Sequence, residues 1–423
     1  MIKSLQITSA QVEPALLDLP WNVPLEEWPT SIIAALPRGI SRHIVRFAHL
    51  EGKVVAVKEI GESVAHHEYE TLRDLNRLDA PCVEPLAVIT GRFDDNGEPL
   101  NAALVTLHLP FSLPYRSLFG QASMRFDTVQ RLIDALAVLM VRLHLLGFYW
   151  GDVSLSNALF RRDAGEFSAY LVDAETGELE DNLSEKKRSY DIDVARVNII
   201  GELMDLQAGS ILDPEFDAIA VGNRFEERYR ELWNELTGEE SFDRSERWRV
   251  DARIRRLNDL GFEVGELAMS TDINGTSISI QPKVVDLGHY SRKLMRLTGL
   301  DVEEKQARRL VNDMESYRTY TGKSGYPLEI VAHEWMTNVY EPTIQAVPPE
   351  LRAKLQPAQL FHEILEHRWF MSERENRDVP MPEAVHSYVR EVLTHRRDES
   401  QFIGRDADGP ATEEFEVGTI FGD

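Results

Sequence analysis

The chain is most tightly constrained between Tyr149 and Glu175. There Tyr149-Trp150-Gly151-Asp152-Val153-Ser154-Leu155-Ser156-Asn157 runs into the apolar Ala158-Leu159-Phe160 and a polar turn. Ala169-Tyr170-Leu171-Val172-Asp173-Ala174-Glu175 follows. Two short strands therefore bracket a turn and hold polar side chains at their ends. Asp152 and, five residues on, Asn157 precede the first strand, and Asp173 closes the second. Asp-x4-Asn alone is common, and Asp152 and Asp173 could be two unrelated surface residues on loops, so the flanking order decides their meaning.

The totals narrow the class. A length of 423 residues suggests two or three domains. The apolar fraction of 43% is ordinary for a soluble globular chain and allows a sizeable core. A formal net charge of -25 disfavours DNA, RNA and anionic membranes through long-range repulsion, and it permits a basic protein partner. Cys82 is the only cysteine, so no internal disulfide can form and a reducing compartment fits. Met1 to Ala10 shows no basic region followed by an apolar core, so no signal peptide is expected. The densest apolar run, Leu136 to Val141, is too short to cross a bilayer. A cytoplasmic location is the expectation.

Residues 1–37 carry Leu19-Pro20-Trp21-Asn22-Val23-Pro24-Leu25-Glu26-Glu27-Trp28-Pro29, where the prolines oppose helix interior and central strand. An extended arm packing its tryptophans onto the first domain is expected. From Gly39 to Ile60 the pattern is a hairpin, with Glu51-Gly52-Lys53 as its turn. Lys58 ends the second strand motif, Val55-Ala56-Val57-Lys58. A helix is predicted from Ser63 to about Leu78, with Val64, Leu72, Leu75 and Leu78 as its apolar stripe. Glu68 falls on that stripe and Glu70 does not. A buried carboxylate needs a cation, and Lys58 on the preceding strand is the nearest in sequence.

Two further strands are expected, at Leu86 to Ile89 and Ala102 to Leu109. A helix runs from Asp127 to Leu146, and Gly147 stops it. His144 reads as a structural hydrogen-bonder. Another helix spans Tyr190 to Leu206, with Asp191 and Asp193 at its start, placed to cap amides or brace the preceding loop. Beyond 209–214 the chain reads as charged amphipathic helices and a strand pair over Phe262 to Ile280, turning at Asp272-Ile273-Asn274-Gly275. Further helices are expected at Tyr290–Thr298, Val302–Arg318, Pro327–Tyr340, Pro349–Arg374 and Pro382–His395. The tail from Asp406 to Asp423 has no basic residue and reads as disordered. Two apparent motifs fail. Gly322-Lys323-Ser324 lacks the Gly that a phosphate loop needs at position 317, and His362 and His367 are five apart, not four.

Taken in order, these features resemble the protein-kinase-like superfamily over about 39–206. They are closest to its lipopolysaccharide-kinase and aminoglycoside-kinase branch, where His-Gly-Asp replaces His-Arg-Asp and Asp-x-Glu replaces Asp-Phe-Gly. The residues that carry the resemblance are Val55-Ala56-Val57-Lys58, Glu68-x-x-x-Leu72-x-x-Leu75, Leu143 to Tyr149, Asp152 with Asn157, and Asp173 with Glu175. Three departures stand out. The loop Leu36-Pro37-Arg38-Gly39-Ile40-Ser41-Arg42 keeps one Gly, Trp150 replaces the family His, and no Phe-Gly follows Asp173. The stretch around Tyr326-Pro327-Leu328-Glu329-Ile330-Val331-Ala332-His333-Glu334-Trp335 resembles a bacterial domain of unknown function that follows a lipopolysaccharide-kinase-like domain.

The resemblance implies an α+β, bilobal kinase-like fold: an N-lobe antiparallel sheet with a helix, a helical C-lobe, and a mostly helical C-terminal domain. The implied divisions are an arm at 1–37, the kinase-like domain at 38–208, the C-terminal domain at 209–400 and the acidic tail at 401–423. It implies ATP and Mg2+ as cofactors. Lys58 would hold the α- and β-phosphates and Glu68 would position it. Ala56 would lie near the adenine, and Gly39, Ser41 and Arg42 near the phosphates. Asp152 would be the catalytic base, Asn157 and Asp173 the Mg2+ ligands, with Glu175 assisting. The implied activity moves the γ-phosphate to a hydroxyl of an unidentified sugar, lipid or protein. The rival function is a catalytically inactive nucleotide-binding scaffold or regulatory protein.

Overall fold

The computed structural model describes residues 4–11, 13–34, 36, 43–119, 126–271, 277–396 and 398–399, with backbone alone at 126–127 and 284–287. Gly39, Ser41 and Arg42, the turn at 272–275 and the tail 401–423 lie outside the described residues.

Alternating apolar residues build the first layer. Strands β1 (Gln6–Ser9), β2 (Ile44–Leu50), β3 (Lys53–Ile60), β4 (Pro85–Thr90) and β5 (Ala102–Leu107) form one antiparallel sheet, ordered β1-β4-β5-β3-β2. Helix α1 (Glu62–Arg77) connects β3 to β4 and starts just before the expected Ser63, with Gly61 at its N-cap. The period of two along β3 separates two environments. Val55 and Val57 face a core that includes Trp21 and Trp28. Ala56 and Lys58 face a cleft, and Ile60 joins the core under α1.

The N-terminal segment packs its tryptophans in cis, edge to face with ring centroids 5.4 Å apart. It is not wholly extended. β1 pairs with the sheet edge in the register Gln6↔Thr90, and Pro14–Asp18 and Leu25–Glu27 are 3-10 turns. A four-residue edge strand carries too little alternation to be read from sequence. Buried Arg92 pins the segment by pairing with Glu59 at 2.6 Å and donating to the carbonyls of Trp21 (3.1 Å) and Val23 (2.8 Å).

The second lobe contains β6 (Ser112–Pro114), α2 (Tyr115–Phe119), α3 (Phe126–Leu145), β7 (Phe148–Tyr149), β8 (Ala158–Asp163), β9 (Glu166–Leu171), β10 (Glu178–Leu179), α4 (Glu185–Ala208) and α5 (Ala218–Thr237). Gly147 ends α3 at φ +85°; a Cβ there would meet the Glu180 carbonyl, so only glycine fits. α4 begins earlier than expected because Ser184 accepts from the Lys187 N–H at 3.3 Å and caps it. Asp191 therefore lies inside the helix and is fully buried, while Asp193 is exposed. The core of this lobe continues past 209–214, through Phe225 and Leu232 on α5 to Leu257 and Phe262.

The rest is mixed before it becomes helical. Strands β11 (Glu240–Asp243), β12 (Phe262–Thr271) and β13 (Ser277–Leu287) form a three-stranded sheet, with α6 (Trp248–Asp259) between the first two in sequence. Then come α7 (His289–Thr298), α8 (Glu304–Tyr320), α9 (Leu328–Trp335), a π-helical turn at Met336–Tyr340, α10 (Glu341–Gln345), α11 (Pro349–Arg352), α12 (Pro357–Glu375) and α13 (Met381–Glu391). The single helix expected over Pro349 to Arg374 is two, because Pro357 lacks an N–H and starts a new first turn. These helices share a second core around Met314, Trp335, Phe361 and Tyr388.

Candidate active site

Lys58 is the meeting point of the two lobes. Its Nζ lies 3.1 Å from Glu68, 2.8 Å from Asp173 and 3.0 Å from Glu175. Glu68 sits on the buried stripe of α1 at 1% exposure, whereas Glu70 is exposed, so the helix face selects the carboxylate as the periodicity suggests. The Ala174 N–H donates to Glu68 at 3.3 Å, and the Glu175 N–H donates to Asp173 at 3.1 Å. His43, at the foot of β2, pairs with Glu175 at 3.0 Å.

Electrostatics follow from three carboxylates around one ammonium. Burial pushes Glu68 up to about 8, Asp173 pushes the same way, and Lys58 opposes both. Burial would lower Lys58, but Glu68 and Asp173 outweigh it and hold the ammonium well above the ordinary lysine range. The cluster carries more carboxylate charge than one ammonium neutralises. One ligand atom each from Glu68, Asp173 and Glu175 lies within 4.8 Å of the others. Carboxylate oxygens are the donors a hard dication such as Mg2+ takes, and here all three groups close on the Lys58 ammonium.

The loop that carries Asp152 is held from behind. Gly151 turns it at φ +79°, where its missing Cβ leaves room for Thr176 and the Tyr149 ring. The Trp150 and Gly151 N–H groups each donate to Asp191, both at 2.8 Å. His144 bridges Asp191 (3.2 Å) and the Tyr229 hydroxyl (2.7 Å), a structural role. Trp150 is fully buried, and its indole N–H donates to the Asp173 carbonyl at 3.0 Å, which joins the two carboxylate-bearing segments. The Asn157 amide donates to the Asp152 carbonyl at 2.8 Å. The Val172 N–H donates to the Asn157 carbonyl at 3.1 Å, closing the base of the β8–β9 hairpin.

Two contributors were not anticipated. Glu202 on α4 accepts from the N–H groups of Leu155 (2.7 Å) and Ser156 (2.9 Å) and from the Ser156 hydroxyl. Asn198 donates to the Val153 carbonyl at 2.9 Å and lies 3.5 Å from an Asp152 oxygen. The signal was present: Asp191, Asn198 and Glu202 recur at helical spacing beside the apolar stripe of α4.

These groups line a cleft of about 880 Å³ between the lobes. Ala56, Val83, Leu104, Thr106, Leu159 and Val172 make its apolar end; Lys58, Asp152, Asn157 and Asp173 make its polar end. The backbone of Leu107 and His108, where β5 ends beside the cleft, is engaged within the fold. The Leu107 N–H donates to the Glu84 carbonyl (2.8 Å) and the His108 N–H to the Val54 carbonyl (2.9 Å). The His108 side chain also borders the cleft, and burial, aided by Arg161, lowers it to about 4, so it is neutral.

The chain is thus mixed α and β: an antiparallel sheet bridged to its helix by a buried Lys–Glu pair, over a mostly helical part whose loop presents Asp152 and Asn157. A family model described as "Domain of unknown function (DUF4032)" matches residues 231–393. Among solved structures, one described as "WaaP in complex with acyl carrier protein" is similar at 15% identity and a TM-score of 0.36, covering 60% of this chain and 99% of that one. No curated protein matches the chain.

Proposed function

We propose that this chain is an ATP- and Mg2+-dependent phosphotransferase of the lipopolysaccharide-kinase and aminoglycoside-kinase branch. It would pass the γ-phosphate to a hydroxyl of a sugar, lipid or protein. The observation that carries the reading is the grip of carboxylates from both lobes on Lys58, at the polar end of a cleft also bordered by Asp152 and Asn157. The proposed units are the N-terminal arm, the kinase-like domain and the C-terminal helical domain, in a cytoplasmic protein. No helix among the described residues is long and apolar enough to cross a membrane.

In this reading Lys58 binds the α- and β-phosphates and Glu68 keeps it aimed. Ala56 packs near the base, and Gly39, Ser41 and Arg42 approach the phosphates. Asn157 and Asp173, with Glu175, hold Mg2+, which would neutralise charge on the transferring phosphoryl group. The Asp152 carboxylate accepts the proton of the acceptor hydroxyl. That oxygen then bonds to the γ-phosphorus as the bond to the β-phosphate oxygen breaks, and ADP leaves with its electron pair.

The test is thermal melting of the full chain with ATP, with Mg2+, and with both. Saturation at a hundredfold excess over Kd stabilises by about 2.7 kcal/mol. No shift with ATP and Mg2+ together overturns the reading. A shift without γ-phosphate release, in wild type and every variant, favours the inactive scaffold.

A further inference from the structure

The hairpin that carries the proposed metal-binding side chains at its base is anchored at its far end by the C-terminal half. Asn157 immediately precedes β8 and Asp173 follows β9 by two residues, so the two strands are levers joined at Asp163–Glu166. Helix α8 seizes that end. Its N-cap residue, Glu303, provides no side-chain cap. The cap comes instead from Asp163, 2% exposed, which accepts from the Gln306 N–H at 2.6 Å and the Lys305 N–H at 3.2 Å. A helix end leaves its first N–H groups without intrahelical partners, so this bond satisfies α8 as much as it holds the hairpin.

Other contacts extend the seam along both strands. The Tyr170 hydroxyl donates to Glu303 at 2.6 Å, and Arg161 lies 3.4 Å from the same carboxylate. The Gln306 amide donates to the Arg162 carbonyl at 3.1 Å and to Gln359 of α12 at 2.9 Å, linking the hairpin to the second core. Arg162 donates to Glu399 at 2.7 Å. Strand β6 pairs with β8 only over Leu159 to Arg161, and the tip is held by α8 together with Arg131 of α3, which donates to the Gly165 carbonyl. A short hairpin is marginal alone, so its pitch is set by what it is docked on.

We infer that the C-terminal helical half is a positioning element for the metal site: α8, docked on Asp163, sets the β8–β9 hairpin and thereby the relation of Asn157 to Asp173. The inference rests on the proposed reading of those two residues as Mg2+ ligands. Asp163, Glu303 and Gln306 are positioning residues and lie outside the lining of the cleft.

The test uses the full chain as wild type, Asp163→Ala and Tyr170→Phe, each in saturating ADP with a Mg2+ titration followed by thermal shift. ADP binding in EDTA is measured in parallel. The Mg2+ concentration at half-effect should rise about tenfold in Asp163→Ala, equivalent to about 1.4 kcal/mol. It should rise by roughly threefold in Tyr170→Phe, which deletes one hydroxyl from the seam and serves if Asp163→Ala does not fold. ADP affinity in EDTA should stay unchanged, because Lys58 and Ala56 lie on the other lobe. A lower melting temperature with an unmoved Mg2+ midpoint in both variants overturns the inference and leaves the metal reading intact. No Mg2+ effect in wild type overturns both.

Discussion

Lys58 Nζ lies 2.8 Å from an oxygen of Asp173, a residue 115 positions further along the chain and in the other lobe. With Glu68 on the opposite side, this contact ties the sheet, α1 and the hairpin into one site. The following outcomes test what that tie does.

Lys58→Ala should leave Glu68 buried beside Asp173 with no cation. Breaking a buried pair from one side typically costs about 3–5 kcal/mol. Denaturant unfolding should show a loss of that order, and ATP titration a loss of binding. Glu68→Ala should also weaken ATP binding. Glu70→Ala should do nothing measurable, because Glu70 is exposed; an equal effect from Glu70→Ala would reverse the assignment.

Asp152→Asn should bind ATP as wild type does yet turn over more slowly, by about 10²–10⁴-fold for a lost proton acceptor. Asp173→Asn should lose both affinity and turnover, since it faces Lys58 as well as the proposed metal. Parallel measurements of nucleotide binding and γ-phosphate release separate the two. Undiminished ATP hydrolysis in Asp152→Asn would remove Asp152 as the base.

Glu202→Ala should loosen the loop before Asn157, because the Leu155 and Ser156 amides lose their acceptor. Each buried donor left unpaired costs about 1–3 kcal/mol. Hydrogen exchange at those two amides should accelerate relative to the core of α3. Unchanged protection there would show that Glu202 does not hold the loop.

His108 sets a pH dependence of known sign. Burial depresses it to about 4, with Arg161 acting the same way, while the unfolded chain retains an ordinary histidine near 6.5. Between those values the unfolded state binds the extra proton, so this group's contribution to stability is lost as pH falls through the window. The slope is at most about 1.4 kcal/mol per pH unit. Comparing denaturant unfolding of wild type and His108→Gln from pH 7 to 4 isolates it. The variant should gain relative stability at the acid end, and a constant difference would contradict a lowered His108.

Local pattern carried much of the architecture. The period of two at Val55-Ala56-Val57-Lys58 and the stripe of Val64, Leu72 and Leu75 determine which side chains face inward. They are enough to pair Lys58 with Glu68 ten residues on. Likewise Gly147 stops α3, because the stop depends on backbone conformation within one segment, whereas His144 is a hydrogen-bonder whose partners, Asp191 and Tyr229, lie 47 and 85 positions away.

The sequence by itself determined the longer strands and helices, their inward faces and the order of the polar residues, since these follow from short-range periodicity and φ/ψ preference, but not the short edge strand β1 or the start of α4. Only the tertiary structure decided that Glu202 and Asn198 hold the loop, that Trp150 joins it to Asp173, and that Asp163 caps α8. Those partners are separated by 23 to 143 positions. The helical spacing of Asp191, Asn198 and Glu202 marks a polar face on α4 but does not name its partners, because donor and acceptor meet only when the cores bring the elements together.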